Sequence, residues 1–187
     1  MSSLKYLKSL RYFELYLSPT EKLNTRGVNE LCRSLVGLQK LRGLSLDLSS
    51  CPNLNDESIE KLFESIKTLR NLSSLSLSLR SLLKLTINGV YILLSFLKSD
   101  QDPDIRDDYQ FIFAKYLEAS PLKLSNLHLD LSFSEIIPKR FATNLTPYHG
   151  LTALDLDLSA NTNLHAGELM EICFCLGYLK HLSKLPI

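Results

Sequence analysis

The side chains with the clearest potential for chemistry are Asp100, Asp102 and Asp104, whose alternate spacing matches the first ligand positions of an EF-hand calcium loop. Carboxylate oxygens are the ligands that Ca²⁺ prefers in proteins. The same loop needs a glycine at its sharp turn and a bidentate glutamate at its end, and this sequence has Ile105 and Phe111 there. We therefore interpret the acidic run as a solvated loop, and we predict neither a metal nor any other cofactor.

The sequence lacks the residue patterns that enzymes use for nucleophilic or phosphoryl-transfer chemistry. It contains no GxGxxG or GxxxxGKS/T phosphate-binding loop and no GxSxG nucleophile turn. The histidines are scattered and form no HxxxH pair: His128, His149, His165 and His181. These observations predict a protein that is not an enzyme.

The cysteines show neither metal-ligand nor redox-pair spacing. Cys32, Cys51, Cys173 and Cys175 form no CxxC motif. Because no secretory signal precedes them, we interpret them as reduced thiols of an intracellular protein. Cys51, which follows a predicted strand, is interpreted as a structural residue.

Charge and hydropathy exclude several classes of partner. The chain has 21 Lys and Arg against 20 Asp and Glu, and a formal net charge of +1 argues against a nucleic-acid-binding protein. No apolar run approaches the roughly 18 residues that span a bilayer, and the first residues lack the apolar core of a signal peptide. The sequence therefore predicts a cytoplasmic or otherwise intracellular protein that binds neither nucleic acid nor membrane.

A repeated leucine pattern defines the elements that must position any site. Segments of the form LxxLxLxL, with Phe13 replacing one leucine, begin at Leu10, Leu41, Leu72, Leu124 and Leu151, and a partial sixth begins at Leu182. The commonest spacing between successive starts is 31 residues. Alternation of apolar and polar residues within each segment predicts a β-strand with one buried face.

The segments between the predicted strands have the pattern of amphipathic helices. Their apolar residues recur at steps of three and four, which places them on one helical face. Asn24, Asn55 and Asn163 precede three of these patterns, where N-cap residues are expected. The apolar positions of the first connector are Leu23, Val28, Leu31, Cys32, Leu35 and Leu38, and later connectors repeat the same offsets.

One interval between strands is longer than the others, and we assign its surplus residues to an insertion at about 99–119. The acidic run forms the first part of this insertion, and an extra helix is predicted to follow it. The next interval between strands, from Leu124 to Leu151, is shorter than the repeat, so its helix, around 139–145, is expected to be clipped, that is, shorter than the other helices. The helix of the insertion either packs on this domain or contacts a partner through its aromatic residues, Tyr109, Phe111, Phe113 and Tyr116.

The repeat resembles leucine-rich repeats. Connectors 23–32 and 54–62 look like the ribonuclease-inhibitor-like subclass, because each has Gly or Ser and then a β-branched residue ahead of a leucine. The tandem units are also similar to repeats common in ciliate and other protist proteins. The resemblance implies an α/β fold, a leucine-rich-repeat solenoid in a short horseshoe arc with parallel strands on the concave face and helices on the convex face. It implies a single domain, 1–187, of about six β-α units.

The resemblance also implies a function. Proteins with such repeats serve chiefly as protein-binding scaffolds, so we expect a non-catalytic interaction scaffold that is a subunit or fragment of a larger intracellular assembly. Two alternatives stay open: a regulator that activates a small GTPase, and a substrate adaptor of a ubiquitin ligase. The chain starts inside a predicted helix and stops inside a predicted strand, so a longer array, self-association or another chain covering the open ends is expected.

Strand alternation predicts two rows of side chains on the concave face. The first row contains Glu14, Ser45, Ser76, His128 and Asp155, and the second contains Tyr16, Asp47, Ser78, Asp130 and Asp157. We interpret these rows either as a mildly acidic docking strip for a basic segment of a protein partner or as a solvated polar face. Asp130 and Asp157 are expected about 5 Å apart, where like charges repel by about 1 kcal/mol in water.

The same alternation makes a prediction about stability. Leu46 is expected to be buried, so that Leu46→Ala should cost roughly 2–5 kcal/mol. Asp47 is expected to face solvent, so Asp47→Ala should scarcely change the free energy of unfolding.

Overall fold

The structure, a computed structural model, describes residues 4–86, 88–89, 92–93, 123–133, 150–162 and 164–185. The expected insertion at 99–119 and the clipped helix around 139–145 lie outside these residues. The carboxylates interpreted as a solvated loop and the aromatic residues Tyr109, Phe111, Phe113 and Tyr116 therefore stay predictions.

Five strands of the described residues form one parallel sheet, in which the strands follow one another in chain order. They are β1 (Tyr12–Tyr16), β2 (Gly43–Asp47), β3 (Ser74–Ser78), β4 (Asn126–Asp130) and β5 (Ala153–Asp157). Neighbouring strands pair in register, so that equivalent leucines form a line across the sheet: Leu15, Leu46, Leu77, Leu129 and Leu156. The predicted α/β class and the predicted parallel strands are confirmed.

Three helices have both of their ends among the described residues, α1 (Thr25–Leu35), α2 (Asp56–Lys67) and α3 (Ala166–Leu176), and residues 88–89 and 92–93 are helical as well. α1 lies between β1 and β2 in the chain, α2 lies between β2 and β3, and α3 follows β5. α1 and α2 pack side by side, as expected for consecutive units that repeat one arrangement. A short 3-10 turn, Leu4–Tyr6, precedes β1.

Asparagine side chains cap the first two helices, as the sequence predicts. Asn24 Oδ1 accepts a hydrogen bond of 3.1 Å from the backbone N–H of Gly27. Asn55 Oδ1 accepts one of 3.1 Å from the backbone N–H of Ser58. Each bond satisfies an N–H group that has no partner inside its helix, a contribution of typically about 1 kcal/mol.

The start of α3 differs from the prediction. The N-cap residue is His165 and not Asn163, which lies outside the described residues. The carboxylate of Glu168 accepts a hydrogen bond of 3.2 Å from the backbone N–H of His165. A glutamate three residues into the helix therefore supplies the cap that the sequence pattern assigned to an asparagine.

The inward-facing leucines of the strands and the apolar faces of the helices form one continuous core. Leu46 and Leu77 are each 1% exposed, and their side chains lie between the sheet and the helices. Burial of a side chain of this size contributes roughly 1.5–3 kcal/mol relative to exposure. The predicted helix positions are buried too, among them Val28, Leu31, Leu35, Ile59, Leu62 and Ile66, which confirms the predicted facing of both kinds of element.

A residue in the left-handed backbone region follows each of β2 to β5 at the same distance from the strand. Ser50, Ser81, Phe133 and Ala160 each lie three residues beyond their strand, with φ between 53 and 57°. This shared conformation turns the chain out of the sheet in the same way in four units. After β1 the equivalent residue is Pro19, whose ring fixes φ at about −65°, so the first turn does not share it.

The partial sixth segment extends the sheet at one position. Lys184 forms an isolated parallel bridge with Ala153 of β5. The backbone N–H of Leu154 donates a hydrogen bond of 3.1 Å to the carbonyl of Lys184. The tail therefore begins the pairing expected of a sixth strand.

Candidate functional site

The outward side chains of the strands form the two rows that the sequence predicts. The pairing register aligns Glu14, Ser45, Ser76, His128 and Asp155 in what we call the central row. It aligns Tyr16, Asp47, Ser78, Asp130 and Asp157 in the terminal row, at the carboxyl ends of the strands. We call both rows together the polar face.

The aspartates of the terminal row have a structural role that the sequence reasoning missed. Asp47 Oδ1 accepts a hydrogen bond of 2.9 Å from the backbone N–H of Ser49, two residues later. Asp130 and Asp157 do the same with the N–H groups of Ser132 and Ser159, at 3.0 and 2.9 Å. A carboxylate that bonds the backbone two residues on stabilises a turn, and the signal for it was the repeated Asp-Leu-Ser at the strand ends.

Asp130 also ends a chain of side-chain hydrogen bonds that runs across three strands. The hydroxyls of Ser49 and Ser78 lie 2.6 Å apart, and Ser78 donates to Asp130 Oδ2 at 2.6 Å. Ser132 Oγ donates to Asp130 Oδ1 at 2.7 Å. Burial raises the pKa of the Asp130 carboxyl, but the hydrogen bonds from Ser78 and Ser132 and the nearby Arg80 guanidinium outweigh it and hold the pKa below its usual value.

These bonds explain how two negatively charged side chains, Asp130 and Asp157, can lie side by side in the terminal row. Asp130 and Asp157 are register partners on β4 and β5, as expected. Asp130 Oδ2 is bonded to Ser78 of β3, on the side away from β5, and Asp157 Oδ1 is bonded to its own turn. Each carboxylate therefore has donors of its own, which offset the repulsion between them.

The central row presents its charges to solvent. His128 Nδ1 lies 2.8 Å from Asp155 Oδ2, and the two side chains are 40% and 46% exposed. At the opposite edge of the sheet, Glu14 Oε2 accepts a hydrogen bond of 3.1 Å from the hydroxyl of Tyr16. Glu14 and Asp155 are not tied to turns as the terminal aspartates are, and each bonds a neighbouring side chain of the polar face instead.

The charge of the polar face is negative. Its two rows contain Glu14, Asp47, Asp130, Asp155 and Asp157, and the five strands that the structure describes contain no Lys or Arg. Cations lie at its margins: Arg11 and Arg42 are exposed just before β1 and β2, and the guanidinium of Arg80 lies 4.5 Å from the ring centroid of Phe133 beyond the strand ends.

Exposed apolar groups border the polar face. Tyr12 and Tyr16 of the edge strand β1 are 67% and 66% exposed. A groove of about 470 Å³ lies beside the first turns and is lined in part by Pro19, Pro52 and the highly exposed Leu83. The sequence analysis did not identify this groove, because its apolar residues do not belong to the repeated leucine positions.

The buried thiols have structural surroundings. Cys51 is fully buried, and its Sγ lies 3.8 Å from the carbonyl oxygen of Leu17 and 3.6 Å from that of Ser49. Burial raises the pKa of the thiols of Cys51, Cys32 and Cys175. A raised pKa leaves less of the reactive thiolate at neutral pH.

Two kinds of feature are absent from the part of the chain that the structure describes. Within it, no three His, Cys, Asp or Glu side chains are grouped so that they could hold a metal ion. None of its helices has both the length and the apolar character needed to cross a membrane.

Comparisons with known proteins concern the fold. No protein-family model matches the chain, and no curated protein matches its sequence. Among solved structures, actin-binding site 2 of leiomodin-1 is similar, with a TM-score of 0.55 and 12% identity over 95% of this chain and 85% of that chain. The C-terminal domain of tropomodulin from Caenorhabditis elegans is also similar, with a TM-score of 0.53 and 10% identity over 95% of this chain and 89% of that chain. At such identities the likeness establishes a shared fold.

Proposed function

We propose that this chain is a non-catalytic, intracellular protein-interaction scaffold of the leucine-rich-repeat type, which binds a basic segment of a partner protein on its polar face. The proposal includes the solenoid geometry, with the polar face on the concave side of a short arc. The repeated unit, the in-register leucine line and the shared turn conformation support that geometry.

The observation that carries the proposal is the exposed, negatively charged surface of the parallel sheet. Strands in a sheet lie about 4.8 Å apart, so in-register carboxylates recur at short intervals across the face. Lys and Arg side chains are long enough to reach several of them from one extended segment. Glu14, which is exposed, and Asp155, which is half-buried, are the members that do not close a turn, so we expect them to form such ion pairs.

The solved structures with this fold are compatible with a role in protein binding. One of them is an actin-binding site of leiomodin-1, so the fold supports protein binding in that case. For this chain, the chemistry of the polar face and not the identity of those neighbours defines the expected partner.

Binding of a fluorescein-labelled peptide of alternating arginine and serine tests the proposal. We expect binding that weakens as salt is added, because ion pairs at an exposed surface are screened. The double variant Glu14→Gln, Asp155→Asn should bind about tenfold more weakly, since each exposed ion pair contributes up to about 1 kcal/mol. Fluorescence anisotropy titrations at low and at physiological salt give both results.

The matched control removes the same amount of charge from the helical side of the molecule. Glu57 and Glu64 are exposed on α2, and the variant Glu57→Gln, Glu64→Gln should bind the peptide as the wild type does. Equal loss of binding in both double variants would show attraction to overall charge and would contradict a site on the polar face. Thermal unfolding of both variants verifies that they are folded.

A further inference from the structure

The edge strand β1 presents two aromatic rings with a carboxylate between them on the outward side of the sheet. Tyr12, Glu14 and Tyr16 alternate with the inward Phe13 and Leu15, so the three side chains point to the same side. All three are exposed, the two tyrosines by 67% and 66%. We call Tyr12, Glu14 and Tyr16 the β1 cluster. Two large rings in solvent on either side of a charge are not explained by the core of the fold.

The side chain of Tyr16 is oriented by the carboxylate of the cluster. Its hydroxyl donates a hydrogen bond of 3.1 Å to Glu14 Oε2, which draws the tyrosine side chain back along the strand. The two oxygens of a carboxylate together offer about four acceptor positions. The carboxylate of Glu14 can therefore accept further hydrogen bonds while it orients the ring.

The ring of Tyr12 lies across the neighbouring strand, where a glycine makes room for it. Tyr12 pairs in register with Gly43, and a Cβ atom on Gly43 would lie 2.7 Å from Cδ1 and 3.2 Å from Cε1 of the tyrosine. Non-bonded carbon atoms pack at about 3.5–4.0 Å, so a side chain at position 43 would displace the ring. The equivalent positions of the later strands all carry side chains: Ser74, Asn126 and Ala153. The glycine in β2 therefore allows the Tyr12 ring to lie against the sheet.

We propose that the β1 cluster recognises one arginine side chain of the basic segment that binds the polar face. This inference rests on the proposed function and adds to it the chemical identity of a bound residue. The guanidinium group pairs with the carboxylate of Glu14 and lies against the rings of Tyr12 and Tyr16 on either side of it.

The chemistry of the cluster favours arginine over lysine. A guanidinium group is planar, so it can donate two parallel hydrogen bonds to a carboxylate and can also stack on an aromatic ring. It is more weakly hydrated than an ammonium group, so it loses less solvation when it contacts a ring. The outward side chains of β2 to β5 include no Tyr, Phe or Trp. Within the five described strands, the combination of a carboxylate with exposed aromatic rings therefore occurs at β1.

Two fluorescein-labelled peptides of equal length and charge test the proposal, one alternating arginine with serine and the other lysine with serine. In fluorescence anisotropy titrations at low salt, the arginine peptide should bind about fivefold more tightly, because cations are attracted to aromatic faces and arginine makes this contact most often. In the double variant Tyr12→Leu, Tyr16→Leu, the arginine peptide should bind only as well as the lysine peptide, whose affinity should be nearly unchanged.

The matched control removes an equally exposed ring from the helical side of the molecule. Phe174 of α3 is 67% exposed, and Phe174→Leu should keep the full preference for the arginine peptide. Thermal unfolding verifies that this variant and the tyrosine variants are folded.

The variant Gly43→Ala tests the placement of the Tyr12 ring without removing a charge or an aromatic residue. The added methyl group must push the ring away from the sheet. The preference for the arginine peptide should then fall to about twofold or less, since one of the two rings is displaced from the bound cation. A preference that stays at the wild-type value overturns this placement of the ring.

The outcomes separate this inference from the proposed function. Equal affinity of the wild type for the two peptides, or an arginine preference that survives the loss of both tyrosines, overturns the arginine site and leaves the acidic docking surface in place. Failure of both peptides to bind the wild type at low salt overturns the docking surface and the arginine site together.

Discussion

Asp130 shows how one residue serves both the fold and the charge of the polar face. Its two carboxylate oxygens accept hydrogen bonds from the side chain of Ser78 on the neighbouring strand and from the backbone and side chain of Ser132. The ionised form is the one that accepts these bonds, so the folded state favours the charge. Solvent-facing alternation alone assigns this residue either to a docking strip or to a solvated polar face, whereas in the structure it bonds its own turn and the neighbouring strand.

The first residue-scale prediction concerns the dependence of stability on pH. The pKa of Asp130 in the folded protein lies below the ordinary value of 3.8. The ionised carboxyl therefore stabilises the folded state above pH 3.8, and this contribution is lost as the pH falls through the folded-state pKa. In Asp130→Asn, the free energy of unfolding should be about 1 kcal/mol lower at neutral pH and should fall less steeply on acidification than in the wild type.

Urea unfolding at a series of pH values between neutral and strongly acidic measures this difference. Glu21→Gln, which removes an exposed carboxylate, serves as the control and should keep the wild-type slope. Identical acid slopes for Asp130→Asn and the wild type would be inconsistent with a stabilising role of the ionised carboxyl.

At the scale of elements, the strands and the first two helices follow directly from the leucine pattern. A period of two along the strands and steps of three and four along the helices leave one buried face in each, and Leu46, Leu77 and Ile59 are buried accordingly. The register of the strands follows as well, because each strand begins at the same position of the leucine pattern, and the differences in repeat length lie in the connectors.

Other features depend on interactions that hydropathy does not encode. The turn bonds of Asp47 and its equivalents require the geometry of the backbone two residues later. The exposed side chains of Met170 and Phe174 in α3 are not found by looking for core positions, because they lie outside the repeated offsets. His165 replaces the predicted cap of α3, because Glu168 bonds the backbone from inside the helix.

A pair of substitutions in β2 tests the facing of a strand. Leu46→Ala should lower the free energy of unfolding by about 2–5 kcal/mol, because it leaves a cavity between sheet and helices. Asp47→Ala should lower it by about 1 kcal/mol, since the N–H of Ser49 loses its acceptor, where alternation alone predicted almost no effect. Urea unfolding of both variants measures the two values, and a larger loss for Asp47→Ala than for Leu46→Ala would mean that the strand is assigned the wrong face.

At the scale of the molecule, burial is uneven along the stack of units. Val28 and Ile59 are each 1% exposed in α1 and α2, whereas the equivalent Leu169 of α3 is 48% exposed. When each unit contacts only its neighbours, stability depends on how many neighbours it has. The units around β2 and β3 are therefore the most stable part of the described structure.

Amide hydrogen exchange should reveal this gradient. We expect the slowest exchange in α2 and β3 and faster exchange in α3, because fewer apolar contacts must break to open α3. Exchange at one common rate in α1, α2 and α3 would indicate a single cooperative unit and would contradict the expected gradient.

The shared left-handed residue after β2, β3, β4 and β5 has a consequence for the ancestry of the chain. Two serines, Ser50 and Ser81, a phenylalanine, Phe133, and an alanine, Ala160, occupy the same backbone conformation at the same step of their units. The DNA segment that encodes one such unit can be duplicated in frame. The additional unit would then join its two neighbours through the same turn geometry as the original unit does. Lengthening by tandem duplication is thus compatible with the architecture at the four turns that share this conformation, without any compensating change elsewhere.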